Sequence, residues 1–268
     1  MCETCGCSIT PGNAHLVTNN GHLAHTKDGT ASVEVLTSLL DENNHMAAHN
    51  REHFGRHNVL ALNLMSSPGS GKTALLEATI KALGSKYRIG VVEGDLETEN
   101  DAERIRAQGV PAVQISTGQA CHLDAHMVHD ALHDLDLDDL DIVFIENVGN
   151  LVCPASFDLG HHANVTLLSV TEGDDKPAKY PVMFRAADLV LLSKADLLDV
   201  LDDFDPKKAE HLIRNLANPA PVLTLSARRA ASLQPWFDWL DGMVAARQNE
   251  TPLMPKVQPD GLSLHMAG

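Results

Sequence analysis

The feature that most constrains the fold is a glycine-rich turn between an apolar strand and a helix. The apolar run VLALNLMSS spans 59–67, the turn reads SSPGSGKT, and the helical stretch TALLEATIKAL follows at 73–83. This is the setting of a phosphate-binding loop, in which glycines let backbone N–H groups face a phosphate. Lys72 can reach the β- and γ-phosphates of a nucleotide, and Thr73 can place its hydroxyl on Mg²⁺. The predicted phosphate-binding residues are Pro68, Gly69, Ser70, Gly71, Lys72, Thr73 and Ala74.

Apolar strand-like runs alternate with helical stretches through residues 58–248, which predicts an α/β domain. We predict a P-loop NTPase-type, mostly parallel sheet with helices on both faces. We expect a flexible, metal-binding Cys/His arm at 1–30 and a helix at 31–57 before this domain, and a tail at 249–268. The candidate strands lie at 59–67, 87–95, 111–116, 141–148, 164–170, 188–194 and 221–226.

The segment SKADL at 193–197 follows a predicted strand and indicates which base is bound. It is similar to the guanine-reading pattern Asn-Lys-x-Asp, with Ser193 in the first place, where the bracing amide of Asn is missing. Asp196 could accept hydrogen bonds from N1–H and the amino group of guanine, a pair that adenine does not offer. The stem of Lys194 can lie along the base. Ser226 and Ala227, after the last strand, are predicted to contact the guanine oxygen through their backbone.

Two acidic segments are predicted to complete the nucleotide site. Asp95 ends the second strand and is placed to reach Mg²⁺ directly or through water. Glu146 and Gly149 lie in ENVGN, after a buried strand. Gly149 could donate its N–H to the γ-phosphate, and Glu146 could hold the water shell of the metal. Lys72, Thr73, Asp95 and Glu146 are therefore the candidate catalytic residues.

Cysteines and a histidine form two candidate metal sites. Cys2, Cys5 and Cys7 form a C-x-x-C-x-C cluster that can surround one soft or borderline cation such as Ni²⁺, Zn²⁺ or Cu⁺. The second set is Cys121, His122 and Cys153, which follow two different strands. The carboxyl ends of parallel strands share one edge of a sheet, which would bring this set close to the phosphate loop. Three ligands leave room for a water, a second chain or a transferred ligand.

Only three residues separate Gly149 from Cys153. If the γ-phosphate draws on the amide of Gly149, the position of Cys153 must respond. We therefore expect the nucleotide state and the metal affinity to be linked, and such linkage is reciprocal.

Histidines recur every fourth residue in the first predicted helix, so they share one face of it. This spacing allows metal binding by a pair, but the simpler interpretation is a solvated polar face opposite Phe54 and the alanines. The residues are His45, His49, His53 and His57.

Composition restricts the classes of partner that the chain is expected to bind. The formal net charge of −16 argues against nucleic acid and anionic membranes, which attract basic surfaces. No apolar run is long enough to predict membrane insertion. The first residues lack the basic and apolar stretches of a secretory signal, so we expect a cytoplasmic protein with reduced thiols.

Taken together, MCETCGC, SSPGSGKT, GDLETENDAERI, the Cys-His pair, ENVGNLVCP and SKADL resemble the HypB family of hydrogenase nickel-incorporation GTPases. The resemblance implies slow GTP hydrolysis, nucleotide-dependent homodimers, and loading of nickel into the large subunit of NiFe-hydrogenase. It also implies a HypA-type nickel chaperone as partner. A tight nickel site would map onto Cys2, Cys5 and Cys7, and a nickel or zinc site of the GTPase domain onto Cys121, His122 and Cys153.

Two alternatives stay open on the sequence. One is a urease-type nickel accessory GTPase, which shares the P-loop architecture. The other is a nickel storage or buffer protein with a vestigial GTPase fold, which fifteen histidines and the thiol arm would allow.

Overall fold

The computed structural model describes residues 30–95, 100–118, 120–249, 251 and 253. The predicted arm with Cys2, Cys5 and Cys7 and most of the predicted tail lie outside these residues. None of the described helices is both long and apolar enough to cross a membrane. The helices are α1 (Thr30–Arg56), α2 (Lys72–Leu83), α3 (Asn100–Arg106), α4 (Ala125–Leu132), α5 (Lys176–Lys179), α6 (Pro181–Ala186), α7 (Pro206–Asn215) and α8 (Gln234–Gln248). The strands are β1 (Leu60–Ser66), β2 (Ile89–Asp95), β3 (Ala112–Ser116), β4 (Ile142–Glu146), β5 (Ala163–Ser169), β6 (Leu189–Ser193) and β7 (Val222–Thr224).

The strands form one seven-stranded sheet in the order β3-β2-β4-β1-β5-β6-β7. Every strand pair is parallel, which confirms the predicted sheet type. β1 is the central strand, and all seven of its residues are buried. Helices cover both faces of such a sheet, so its inner strands are mainly apolar. All carboxyl ends point to the same edge, where the phosphate loop follows β1.

Alternate residues of β1 belong to different layers of the core, because successive strand side chains point to opposite faces. Leu62 and Leu64 pack in the cluster that contains Leu75 of α2 and Trp236 of α8. Ala61 packs on the other face, with Phe54 of α1 and Val128 of α4. The core is mainly aliphatic, as the low aromatic content of 4% requires.

Polar contacts anchor α1 to the domain. The buried side chain of Asn50 donates hydrogen bonds to the carbonyl oxygens of Ala125 (2.8 Å) and Leu159 (3.2 Å). Arg51 forms a bidentate ion pair with Asp158 at 2.9 and 2.8 Å. Since these partners belong to the start of α4 and to the loop before β5, the helix has a defined position on the domain.

The docking of α1 requires a glycine at position 160, because no side chain fits there. Its φ of 86° lies in the left-handed region, and a Cβ atom there would lie 2.5 Å from the carbonyl oxygen of Ala47 and 2.9 Å from the amide nitrogen of Arg51. A side chain would therefore push α1 away from the loop that anchors it.

We predict that Gly160→Ala lowers the free energy of unfolding by about 2 kcal/mol or more, through backbone strain and the clash with α1. Urea unfolding measures this loss. Gly242→Ala is the matched control, since its added Cβ meets nothing within 4 Å and alanine is favoured over glycine inside a helix by about 1 kcal/mol. Equal losses in the two variants would show that Gly160 does not limit the docking.

Candidate functional site

The phosphate loop has the geometry that its glycines predict. Gly69 and Gly71 have φ values of 74° and 97°, in the left-handed region that favours glycine. α2 begins directly after Gly71, so the loop leads into the amino end of a helix, where N–H groups and the helix dipole favour an anion. Lys72 is buried and donates a hydrogen bond to Oγ of Ser66 at 3.2 Å. Ser66, which replaces the usual first glycine, thus holds the lysine across the loop.

A group of carboxylates lies below this loop. Thr73 donates its hydroxyl hydrogen bond to Oε1 of Glu146 at 2.9 Å, and Nζ of Lys72 lies 3.8 Å from the same oxygen. Glu93 pairs with Glu146 across β2 and β4. Oxygens of Glu93, Asp101 and Glu146 all lie within 4.8 Å of one another. These three side chains could together hold a divalent cation.

Burial gives this acidic group unusual electrostatics. Burial, and then the neighbouring Glu146, raise the pKa of Glu93 far above its usual range. Burial also raises the pKa of Glu146, although Lys72 opposes the shift. The Oε2 atoms of Glu93 and Glu146 have no hydrogen-bond partner among the residues that the structure describes. Uncompensated buried carboxylates are costly, and a cation would relieve that cost.

The sequence prediction of this group was incomplete. It included Thr73 and Glu146 but missed Glu93 and Asp101. Glu93 was visible as a charged residue inside an apolar strand, whereas Asp101 had no distinguishing signal in the first turn of α3. Asp95, the predicted Mg²⁺ ligand, ends β2 and is not a member of the group.

Gly149 lies directly against the phosphate loop. A Cβ atom on Gly149 would be 2.7 Å from Cα of Pro68 and 2.8 Å from its nitrogen. Only glycine allows two backbone segments to approach this closely. The segment after β4 is therefore packed against the phosphate loop. The predicted N–H contact of Gly149 with a γ-phosphate stays a prediction.

The predicted base-binding residues come together on the other side of the loop. The hydroxyl of Ser193 donates a hydrogen bond to the carbonyl oxygen of Ser70 at 2.7 Å. Ser193 therefore braces the phosphate loop even though it lacks the amide of Asn. The Lys194 backbone is left-handed at a φ of 57°, and its Cε lies 3.9 Å from the Cβ position of Gly71.

Asp196 is fixed by the segment after β7. Ser226 donates its hydroxyl hydrogen bond to Oδ1 of Asp196 at 2.5 Å, and this bond lowers the pKa of the carboxyl group. The Ala195 amide donates to the carbonyl oxygen of Leu225 at 3.0 Å, which joins the two predicted base-contacting segments. Ala227 follows Ser226 directly. Asp196 is thus held as a carboxylate, the form that accepts hydrogen bonds.

Glu172 is a loop-binding residue that sequence reasoning missed. It lies after β5, and its Oε1 accepts hydrogen bonds from the Ser70 hydroxyl at 2.6 Å and from the Ser169 amide at 3.1 Å. Its other oxygen accepts a short hydrogen bond from the hydroxyl of Ser67. Nothing in the TEGDD sequence distinguishes this glutamate from a solvent-exposed one.

The structure brings the three predicted domain metal ligands together. Sγ of Cys121 lies 3.0 Å from Sγ of Cys153 and 3.7 Å from Nδ1 of His122. His122 is buried and stacks on Phe157, with ring centroids 3.9 Å apart. Burial lowers the pKa of His122, which favours the neutral imidazole that a metal requires. Two sulfurs and one nitrogen suit Zn²⁺, Ni²⁺ or Cu⁺.

Side-chain amides connect the loop of this candidate metal site to the central strand β1. Oδ1 of Asn147 accepts a hydrogen bond from the Leu123 amide at 3.1 Å, and its Nδ2 donates to Asn63 of β1 at 3.2 Å. Asn150 donates to the carbonyl oxygen of Cys121 at 3.2 Å. The loop that carries Cys121 is therefore attached to the same segment that touches the phosphate loop. Sequence reasoning missed this network, although Asn63 stands out as a polar residue in an apolar strand.

Comparison with known proteins agrees with this geometry. Residues 60–224 match the family described as CobW/HypB/UreG, nucleotide-binding domain. The chain is 49% identical over 228 residues to the hydrogenase maturation factor HypB of Escherichia coli K12. This match covers 82% of this chain and 78% of that protein. The chain belongs to the HypB family.

Solved HypB structures share the fold. A crystal structure of HypB from Helicobacter pylori in complex with nickel is 41% identical and has a TM-score of 0.74; the match covers 79% of this chain and 97% of that one. HypB from Archaeoglobus fulgidus is 40% identical with a TM-score of 0.71, covering 76% of this chain and all of the other. The P-loop NTPase-type fold of this HypB member is thereby confirmed.

The acidic group predicts a specific pH dependence. A carboxyl group whose pKa is raised by folding keeps its proton in the folded state, while the unfolded chain releases it above the usual value. The folded state then binds more protons, so stability falls as pH rises from about 5 to 9. Without nucleotide or divalent metal, we predict that Glu93→Gln is more stable than the native chain at pH 8, by about 1 to 3 kcal/mol.

Urea unfolding across this pH range tests the prediction. The difference between Glu93→Gln and the native chain should shrink toward pH 5, where the carboxyl of the unfolded chain also gains its proton. Glu77→Gln, which removes a partly exposed partner of Arg104, serves as the control for losing one carboxylate. Parallel curves for the native chain and Glu93→Gln would contradict the raised pKa.

Proposed function

We propose that this chain is a GTP-hydrolysing nickel metallochaperone that inserts nickel into NiFe-hydrogenase during maturation. The contact between Gly149 and Pro68 carries the proposal, because the same segment continues into Cys153. A nucleotide site and a thiolate site therefore share one short stretch of backbone. The nickel ion is the cargo of this site.

Hydrolysis would rest on positioning and charge. Lys72 and the N–H groups of the phosphate loop would face the β- and γ-phosphates of a bound nucleotide and stabilise charge as the phosphoryl group transfers to water. Gly149 would donate its N–H to the γ-phosphate. The reaction needs no covalent intermediate on the protein. We propose slow turnover, below about 1 s⁻¹ without a partner, the low end for kinases.

The acidic group fits Mg²⁺, since two of its buried oxygens lack hydrogen-bond partners among the described residues. Thr73, Glu146, Glu93 and Asp101 would hold the ion, and Asp95 remains a further proposed ligand. The bound ion would supply positive charge next to the phosphates.

Asp196 is the residue that we propose selects guanine. Its carboxylate, held by Ser226, offers two acceptors to N1–H and the amino group of guanine. Lys194 would lie along the base, and the Ser226–Ala227 backbone would contact the guanine oxygen. Facing adenine, the Asp196 carboxylate would lose both hydrogen bonds, which favours guanine.

We predict that Asp196→Asn lowers GTP affinity at least tenfold and raises the affinity for xanthosine triphosphate, whose 2-oxo group accepts from the asparagine amide. Titration of a fluorescent nucleotide analogue, with GTP, xanthosine triphosphate and ATP as competitors, measures both effects. Asp199→Asn, three residues away, is the matched control. Unchanged nucleotide preference in Asp196→Asn would refute the guanine site.

The metal site implies assembly with other chains. Three ligands leave a four-coordinate ion incomplete, and the apolar side chain of Val152 beside them is 56% exposed, so an approaching chain could cover both. We propose that this face meets a second copy in a nucleotide-dependent homodimer, or a HypA-type nickel chaperone and the hydrogenase large subunit during transfer. Zn²⁺ would compete for the same ligands. Reduced thiols at the site favour the cytoplasm.

The hydrogenase assignment is favoured over a urease accessory role by the 49% identity to a hydrogenase maturation factor. A storage protein would differ in lacking any coupling between nucleotide state and nickel affinity. In a store, nickel affinity would not depend on the nucleotide.

We predict that Ni²⁺ affinity at the Cys121–His122–Cys153 site differs by about fivefold or more between the GDP complex and the complex with a non-hydrolysable GTP analogue. Competition with a chromophoric chelator measures the affinity. The chain should carry Cys2→Ser, Cys5→Ser and Cys7→Ser, so that the arm contributes no thiolate. Equal affinities in the two complexes would remove the linkage and favour a store.

Cys153→Ser added to this background should abolish both the tight binding and its nucleotide dependence. Returned to a hydrogenase-producing strain that lacks this chain, Cys153→Ser should also restore less nickel-dependent hydrogenase activity than the native sequence. Full activity with Cys153→Ser would separate the thiol site from nickel insertion.

A further inference from the structure

Two neighbouring helices present histidines to one another at the surface. His49 and His53 lie one turn apart on α1, and His129 lies on α4, followed one turn later by its C-terminal capping residue, His133. The ring centroids of His49 and His53 are 4.7 Å apart, and those of His49 and His129 are 4.9 Å apart. His53 and His129 are 5.6 Å apart, and His129 and His133 are 4.8 Å apart. We call these four residues the histidine cluster.

A buried amide fixes the protonation of the central ring. Nδ2 of Asn50 donates to two backbone carbonyls, so its Oδ1 is the atom that faces His129. Nδ1 of His129 lies 3.1 Å from this oxygen and must donate to it. A neutral His129 therefore carries its proton on Nδ1 and presents a lone pair on Nε2. Metal-binding histidines are oriented by the same kind of outer hydrogen bond.

The nitrogen spacing of one pair, His129 and His133, already fits a shared ion, and the rings of His49 and His53 would turn their nitrogens toward it. Nε2 of His129 and Nε2 of His133 lie 3.3 Å apart. Two nitrogens bound at 2.0–2.1 Å to one tetrahedral ion lie about 3.3 Å apart, and their ring centroids about 5 Å apart. Without metal, His133 donates its Nε2 proton to His129. A bound ion would replace that proton, which His133 can carry on Nδ1 instead.

The cluster favours neutral imidazoles. Burial, and then His49 and His129, lower the pKa of His53. Burial, and then His133 and His49, lower the pKa of His129. A neutral imidazole is the form that a metal binds.

Packing alone does not require these rings. The contact between α1 and the domain is already filled below them by Phe54, Val128 and Leu132, which are buried. Asn50 and Arg51 supply the polar anchors. Four histidines in two i, i+4 pairs that face each other across two helices therefore remain unexplained by the core.

We propose that His49, His53, His129 and His133 form a second transition-metal site, made only of imidazole nitrogens, that connects α1 to the GTPase domain. Neutral imidazoles suit Ni²⁺, Zn²⁺, Cu²⁺ and Co²⁺. The site needs neither nucleotide nor the thiolates of Cys121 and Cys153. It stands whether or not the proposed function is correct.

The test counts Ni²⁺ bound to the full-length protein by equilibrium dialysis and metal analysis. We expect the variant His49→Gln/His53→Gln/His129→Gln/His133→Gln to bind one Ni²⁺ per chain fewer than the native protein. X-ray absorption, which averages over all bound nickel, should show fewer nitrogen and more sulfur neighbours per ion. The control His45→Gln/His211→Gln removes two exposed histidines, one of them on α1, and should keep the native count. Equal counts in all three proteins would overturn the proposal.

A milder variant guards against misfolding, because His129 touches the buried Asn50. His49→Gln/His133→Gln removes one ligand from each helix and leaves that hydrogen bond in place. It should weaken Ni²⁺ binding at the site at least tenfold with the same circular dichroism spectrum as the native chain. Native affinity in this variant would overturn the four-ligand site.

Hydrogen exchange distinguishes a site shared by both helices from a site on one of them. Ni²⁺ should slow amide exchange in the segment 40–56 of the native chain, because an ion shared with α4 restrains α1. The effect should disappear both in His49→Gln/His53→Gln and in His129→Gln/His133→Gln. Protection that persists in either of these pair variants would refute the connection between the helices.

Discussion

The contact between Gly149 and the backbone of Pro68 is the constraint on which the functional edge depends. The approach is too close for any side chain, so the segment after β4 and the phosphate loop cannot move independently. β4 and β1 are paired in register up to Glu146, which fixes where this segment leaves the sheet. In the proposed function, a change at the phosphates would be transmitted through this backbone contact, which is stiffer than contact through flexible side chains.

The buried polar groups of the sheet extend this coupling. Asn147 joins the strand carrying Asn63 to the loop that carries Cys121 and His122. Each of these amides is hydrogen-bonded to another side-chain amide or to the backbone, so the network costs little in the low-dielectric core and fixes one arrangement. The acidic group nearby is the opposite case. Glu93 and Glu146 keep oxygens without partners among the described residues, and the protein pays for this in stability without a cation.

On the face of the sheet that carries α1, apolar residues supply the packing and polar residues set the geometry. Phe54 and the aliphatic residues of α4 seat α1, while polar anchors set its position. The four histidines of the cluster lie outside that apolar contact, and one of them, His129, contacts the anchor Asn50. The shape of the apolar core therefore does not determine their residue type.

Much of the molecule follows from the sequence alone. Local patterns determined the seven strands, the phosphate loop and the roles open to Lys72, Thr73 and Asp196, because strand periodicity and loop chemistry act within a few residues. Parallel strands share one edge, so the sequence also brought Cys121, His122 and Cys153 together. Tertiary structure decided what depends on distant partners. Glu93 becomes part of the acidic group only through the register of β2 with β4, Ser193 braces a loop 123 residues away, and Glu172 binds the loop hydroxyls. The histidine face of α1 had no evident partner in the sequence, because the matching pair lies on α4 and helix packing alone sets them opposite each other.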